Sequence, residues 1–241
     1  MNGIIAEFEE VSKLYGTFAA LRKVSVRLER GRCYLVLGPN GAGKSTLLRT
    51  LAGLLRPSYG KVRVFEADGA PGAGVDPMEA RERIGYMSHA TMLYDEFSGV
   101  ENLRYFASLY RSGKSGGRDC LTPQEALSSV GLDPALERPV GQYSQGMKQR
   151  ASLARVLISR PELLLLDEPF SNMDIASAHQ MLRLLETFRS EQRTILLTTH
   201  QRELAEPLAD FVLTLDAGAV VSLEDGPYGK QGAMGLAVLR G

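Results

Sequence analysis

The run Gly38-Pro39-Asn40-Gly41-Ala42-Gly43-Lys44-Ser45-Thr46 limits what this chain can fold into more than any other stretch. The apolar residues Tyr34-Leu35-Val36-Leu37 precede it, and Leu47, Leu48, Leu51 and Leu54 follow at helical spacing, so the order is strand, glycine loop, helix. Glycines at 38, 41 and 43 open backbone conformations closed to other residues, letting successive N–H groups converge on phosphate oxygens. The helix starting near Lys44 adds its positive amino end. In such a cradle Lys44 reaches the β- and γ-phosphates of a nucleotide and the Ser45 hydroxyl ligates Mg²⁺, with Pro39, Asn40, Ala42 and Thr46 completing the loop.

A second constraint is Leu163-Leu164-Leu165-Leu166-Asp167-Glu168-Pro169. Four leucines in a row suit a central parallel strand covered on both faces, and the two acids stand at its carboxyl end, where open α/β sheets bind their ligands. Such acids can also cap a following helix, but a P-loop upstream favours catalysis. Asp167 then holds Mg²⁺ through its water shell, and Glu168 takes a proton from the attacking water. His200 ends the strand expected over 194–198, next to the Asp167 strand, within reach of a γ-phosphate oxygen. His179 lies among polar neighbours in a helix expected from about 174 to 189 and receives no role.

Around these motifs, Ile4, Ala6 and Phe8 and then Val24, Val26 and Leu28 alternate as two half-buried antiparallel strands. Between them Tyr15 is either an ordinary turn aromatic or a ring that stacks on a base. Strands are expected at 61–65 and 84–87, separated by a loop at 66–77 to which no role is given. Met92, Leu93, Tyr94 and Phe97 in the loop 88–99 are either core or an exposed groove for a partner. A helix with Val100, Leu103, Phe106, Ala107 and Tyr110 on one face begins at a Ser98/Glu101 capping box. A glycine-rich break at 112–117, helices at 123–130 and 145–159, strands at 211–215 and 219–223 and a glycine-rich tail from 226 complete the pattern. The pattern is α/β: one domain over 1–241, with a nucleotide-binding core and β subdomain from 1–88 and 161–241 and a helical subdomain inserted at 89–160.

Lys+Arg and Asp+Glu number 28 each, so no basic excess points to direct contact with nucleic acid. Cys33 and Cys120, the only cysteines, read as reduced thiols of a cytoplasmic compartment. Glu7, Glu9, Glu10 and Lys13 interrupt the apolar start, unlike a signal peptide, and no apolar run is long enough for a transmembrane segment.

With Tyr143-Ser144-Gln145-Gly146-Met147-Lys148-Gln149-Arg150 upstream of Asp167-Glu168, the sequence resembles the ATP-binding subunit of ABC transporters over nearly its whole length. The P-loop at 38–46, the signature at 143–147, Walker B at 163–168, the Ser171-Asn172-Met173-Asp174 D-loop and the His200 switch follow in the family's order. The resemblance implies an ABC ATPase fold with a mixed sheet, ATP and Mg²⁺ as cofactors, and Tyr15 in the adenine-stacking position. It implies a homodimer that sandwiches two ATP molecules head to tail, Ser144 and Gly146 of one copy facing the γ-phosphate held by the other. It implies integral membrane permease subunits docking near Ser88 to Leu103, and so a peripheral position on the cytoplasmic face of the inner membrane. Soluble members acting on DNA or ribosomes commonly carry two cassettes or a long coiled-coil insertion, and neither pattern occurs here.

The signature usually reads Leu-Ser-Gly-Gly-Gln; Tyr143, Gln145 and Met147 depart from it, whereas Ser144 and Gly146 match. The Gln expected after the 84–87 strand is His89, which thereby becomes a candidate for the catalytic and metal site. His89, Glu101-Asn102-Leu103-Arg104-Tyr105-Phe106 and Thr198-Thr199-His200-Gln201 resemble the haem exporter ATP-binding subunit of cytochrome c maturation, although no Cys-x-x-Cys-His or comparable haem ligand set occurs. A neutral imidazole accepts from water or approaches Mg²⁺ as an amide oxygen does, and a protonated one cannot. Turnover is therefore expected to fall at mildly acidic pH through His89; a pH–rate profile that is the same in His89→Gln would count against this.

Overall fold

The computed structural model describes residues 3–66, 74–111, 120–191 and 193–228. Most of the expected 66–77 loop, the break at 112–117 and the tail beyond 228 lie outside the described residues. Along the chain run β1 (Ile4–Tyr15), β2 (Phe18–Glu29), β3 (Cys33–Leu37), α1 (Lys44–Leu51), β4 (Tyr59–Val64), β5 (Ile84–Met87), α2 (Gly99–Arg111), α3 (Pro123–Ser129), α4 (Gln145–Leu157), β6 (Leu163–Asp167), α5 (Ile175–Ser190), β7 (Thr194–Thr198), α6 (Arg202–Ala205), β8 (Phe211–Asp216) and β9 (Ala219–Asp225).

Two sheets form. The larger has the order β5-β6-β7-β3-β8-β9, parallel except for the antiparallel edge strand β9. The smaller, β2-β1-β4, is antiparallel. The apolar runs of the large sheet divide between two cores because successive side chains point to opposite faces. Leu164, Leu166, Leu35, Ile195 and Leu197 join α2 to α5 on one face. Leu163, Leu165, Tyr34, Val36 and Leu196 join α1 and the small sheet on the other. Each fully buried leucine contributes about 1.5–3 kcal/mol, so β6, buried at every position, anchors both layers.

The alternation at 4–8 and 24–28 marks only part of much longer strands. Register shifts interrupt the β1/β2 ladder between Phe8 and Val11, and Glu10 and Lys23 take positive φ of 51° and 43°. Each bulge resets the two-residue period, so the pattern breaks while the strand continues to a two-residue turn between Tyr15 and Phe18. The α1 boundary also differs from the leucine spacing. Gly53, at φ +72°, donates to the Thr50 carbonyl while Leu54 N–H donates to Arg49, which ends the helix at Leu51 and leaves Leu54 exposed.

Helices α2, α3 and α4 pack together, and α4 packs against β5. Ser98 and Glu101 exchange bonds at the start of α2, and Thr122 with Glu125 does the same at α3, where Pro123 occupies the first turn. In the loop before α2, Leu93 packs on the core, whereas Met92, Tyr94 and Phe97 are exposed. Tyr94 lies 5.5 Å from Phe97 and 5.3 Å from Tyr105, ring centroid to centroid, so the cluster is an aromatic surface.

At the opposite end of the large sheet, Asp210 is 1% exposed and takes four donors. Oδ2 accepts from Cys33 N–H at 2.8 Å and Arg189 Nε at 3.1 Å; Oδ1 accepts from Arg189 Nη2 at 2.9 Å and Arg32 Nη1 at 3.2 Å. The carboxylate thus ties the starts of β3 and β8 to the end of α5. Burial, with the Asp210 charge beside it, pushes the Cys33 thiol up to about 12, so it stays protonated and inert. Removing one partner of such a cluster strands the others in a dry interior. Asp210→Ala is expected to cost about 3–5 kcal/mol in urea unfolding, a loss that surface ion pairs such as Arg202–Glu206 do not approach.

Candidate active site

The carboxyl ends of β3, β6 and β7 open on one cleft. It is lined by Tyr15, Phe18, Ala20, residues 40–46, Arg49, His89, Asp167, Glu168, Ser171 and His200. Most residues singled out from sequence therefore meet in one place. Ser144 and Gly146 do not line it.

The loop after β3 owes its glycines to close packing as much as to dihedral freedom. Gly38, at φ +147°, backs onto the Leu215 carbonyl oxygen, which a Cβ would overlap; Gly43, at φ +101°, backs in the same way onto the Ala20 carbonyl. Gly41, at φ +79°, has open space around it and answers only to the backbone. No side chain caps α1, so its first N–H groups face the cleft ready for an anion. Lys44 is buried and its Nζ donates to the Gly38 and Pro39 carbonyls at 2.7 and 3.0 Å, which holds the ammonium over the loop.

Asp167 is 3% exposed. Its Oδ1 accepts from Ser45 Oγ at 3.0 Å and from Thr198 Oγ1 at 2.9 Å, and its Oδ2 accepts from the Tyr86 hydroxyl at 3.4 Å. Burial raises the Tyr86 phenol above its ordinary range, so it stays a proton donor. No group of three or more His, Cys, Asp and Glu side chains is placed to hold a metal among the described residues. The hydroxyl and carboxylate of Ser45 and Asp167 nevertheless fit Mg²⁺, a hard cation that takes one or two protein oxygens and fills its remaining positions with water and phosphate oxygens.

Glu168 follows at φ +58°, a conformation that costs a non-glycine residue about 1–3 kcal/mol and that gathers at functional sites. Its N–H donates to Thr198 Oγ1 at 3.1 Å, and its Oε2 accepts from His200 N–H at 3.1 Å. Oε1 is buried without a hydrogen-bond partner, although His200 Nε2 lies 3.4 Å away. A buried acceptor at the mouth of a phosphate cleft is what a water O–H would satisfy. His89 Nδ1 lies 3.3 Å from Ser171 Oγ, linking the segment after β5 to the turn after β6. Neither acid caps a helix: α5 is capped instead by Asp174, which accepts from Ser177 N–H.

Tyr15 and Phe18 face each other across the β1/β2 turn and both are exposed at the lip of the cleft. Sequence patterning named only Tyr15, because the alternation at 4–8 and 24–28 does not reach the turn across which Phe18 pairs with it. Thr198, Tyr86 and Arg49 were likewise missed: each looks like an ordinary strand or helix residue until the sheet register sets Thr198 and Tyr86 on Asp167 and the packing of α1 sets Arg49 on Tyr86. Ser144 caps α4 by accepting from Met147 N–H, and Gly146 is packed so closely on Ser177 that a Cβ would overlap its Oγ.

Residues 21–171 match the family model described as ABC transporter. The ABC transporter ATP-binding protein NatA of Bacillus subtilis is 37% identical over 204 residues, covering 84% of this chain and 80% of that protein. A fluoroquinolones export ATP-binding protein of Mycobacterium tuberculosis is 38% identical over 205 residues, 85% of this chain and 65% of that one. The Nod factor export ATP-binding protein I of Cupriavidus metallidurans is 35% identical over 218 residues, 90% and 70% of the two chains. Among solved structures, the ATP binding subunit of an ABC transporter superposes with a TM-score of 0.74 at 28% identity, covering 95% of each chain. A dimeric post-hydrolysis ATP-binding cassette bound to ADP and Pi, at 22% identity, has the same fold with a TM-score of 0.77 over 92% of this chain and 98% of that one.

Thr198, fully buried, holds both acids at once. Thr198→Val keeps the shape and removes both bonds, so a stability loss of about 1–3 kcal/mol is expected. Catalytic turnover should fall while nucleotide still binds, as urea unfolding and parallel binding and phosphate-release assays would show.

Proposed function

The chain belongs to the ABC transporter family, and from that premise we propose that it is the ATP-hydrolysing motor subunit of an exporter. The observation that carries the reading is the buried Oε1 of Glu168, without a hydrogen bond among the described residues, beside Asp167, Lys44 and the glycine loop in one cleft. Lys44 and the N–H groups of residues 41–46 would hold the β- and γ-phosphates; Tyr15, with Phe18, would stack on the adenine. Ser45 and Asp167 would hold Mg²⁺, with His89 near by, and the ion when bound neutralises charge on the phosphates. In the hydrolytic step the water oxygen bonds to the γ-phosphorus as the bond to the β–γ bridging oxygen breaks. Glu168 accepts the water proton, His200 steadies the γ-phosphoryl oxygens, and ADP and phosphate leave.

Ser144 is exposed at the amino end of α4 and does not line its own chain's cleft, which is what a residue completing another copy's site requires. This supports a head-to-tail homodimer with ATP between the copies. No helix among the described residues is long and apolar enough to cross a membrane, so separate permease subunits would form the pathway. The exposed apolar side chains Met92, Tyr94 and Phe97 are the part of the expected 88–103 docking region that such a partner would cover, with Tyr105 just beyond it, on the cytoplasmic face of the membrane.

Relatives named for the export of fluoroquinolones and Nod factors favour an exporter of that broad kind. The haem pathway is carried only by the three short stretches at 89, 101–106 and 198–201. With a general base worth about 10²–10⁴-fold, Glu168→Gln is expected to lower kcat by that order and leave ATP-dependent dimers visible by light scattering. Parental turnover in that variant would remove Glu168 from the role of base.

A further inference from the structure

We propose that Tyr86 is a positioning residue for the divalent metal held at Ser45 and Asp167, with Arg49 fixing the direction in which it acts; this rests on the nucleotide site proposed above. The Asp167 carboxylate has both oxygens committed. Oδ1 takes the hydroxyls of Ser45 and Thr198, and Oδ2 takes the Tyr86 hydroxyl at 3.4 Å. Arg49 Nε donates to the same Tyr86 oxygen at 3.3 Å. A guanidinium has donors only, so the phenol oxygen must accept from Arg49 and its one proton is left for the carboxylate. Cation, phenol and anion therefore stand in a chain in which the charge at each end strengthens the bond at the other.

The chain joins three elements. Arg49 lies on α1 beyond Lys44 and Ser45, Tyr86 on β5, and Asp167 at the end of β6. Among the described residues β5 is the edge strand and pairs only with β6, so the Tyr86 hydroxyl is a side-chain tie between that edge and the Asp167 carboxylate. With Asp167 almost wholly buried, loss of the phenol leaves Oδ2 without a donor and the carboxylate free to turn about its terminal bond. Groups that orient a metal-binding side chain from outside are worth about 10–100-fold in metal affinity. One phenol at a long distance belongs at the lower end of that range.

The test uses the full chain with Mn²⁺ as the probe, following bound Mn²⁺ by electron paramagnetic resonance in the presence of ADP. ADP affinity in EDTA is measured alongside. Tyr86→Phe is expected to weaken Mn²⁺ binding about tenfold and leave ADP affinity in EDTA unchanged. Arg49→Met is expected to weaken Mn²⁺ binding in the parent and to have no effect in the Tyr86→Phe background, since it acts only through the phenol. Equal Mn²⁺ affinity in parent and Tyr86→Phe overturns the proposal. So does a loss of the same size in EDTA, which marks damage to the cleft, or an Arg49→Met effect that is equal in both backgrounds. Failure of the parent itself to bind ADP with Mn²⁺ overturns the nucleotide site, and this inference with it.

Discussion

Parallel pairing of β3, β7 and β6 sets Val36, Thr198 and Asp167 in one row across the sheet. The rest of the site depends on that register. Below the row every side chain is buried and, apart from Thr194 and the Tyr34 hydroxyl, which each accept from a backbone N–H, apolar; the backbone groups are spent in the ladder, so charge stands where the strands end. Beyond it the three chains leave the sheet together, as the glycine loop, as Glu168 and as the segment to His200. A slip of one residue in β6 would exchange the two leucine pairs between the cores and carry Asp167 away from Ser45 and Thr198.

Sequence pattern revealed what lies in line with this register and little of what lies across it. The glycine loop, the leucine run with its two acids and the strand before His200 are each contiguous, so a residue type and its neighbours suffice to place them. The capping box at α2 was legible for the same reason. Contacts between distant segments were not. Phe18 comes opposite Tyr15 only because β1 and β2 stay paired up to the turn at 16–17, and Tyr86 meets Asp167 only because β5 pairs with β6. Leucine spacing extended α1 to Leu54, whereas Gly53 in a left-handed conformation stops it a turn earlier. The aromatic residues after β5 could not be divided between core and surface by composition; only the packing of Leu93 beneath them separates the two.

The glycine loop is also a joint between the two sheets. Gly43 seats on the Ala20 carbonyl of β2, Gly38 on the Leu215 carbonyl of β8, and Gly218 N–H donates to the Ala42 carbonyl at 3.1 Å. Gly218 in turn accepts from Arg22 N–H at 2.7 Å, which closes a ring of backbone contacts through both sheets. Tyr15 and Phe18 belong to the hairpin that carries Ala20. The aromatic lip and the phosphate loop are therefore held at a fixed spacing by main-chain contact, without a flexible side chain between them. A side chain at 38 or 43 would disturb that spacing even where the backbone tolerated it.

The same economy explains how the signature stretch tolerates its departures. Tyr143 is buried with the Arg138 guanidinium over its ring, and Arg138 also donates to the Met147 sulfur at 3.2 Å, so two of the three unusual residues are partners of one local cation. Gln145 is exposed and answers to neither core. The two residues that match the family pattern are constrained by the fold itself. Ser144 caps α4, and Gly146 must lack a Cβ because Ser177, held by both oxygens of Asp174, lies against it. Asp174 stands in the turn that follows the acids of β6, so the start of α4 is braced by the segment leaving the cleft. A helix end that is capped from within, braced from behind and exposed in front can present its N–H groups to a phosphate outside the chain without further support.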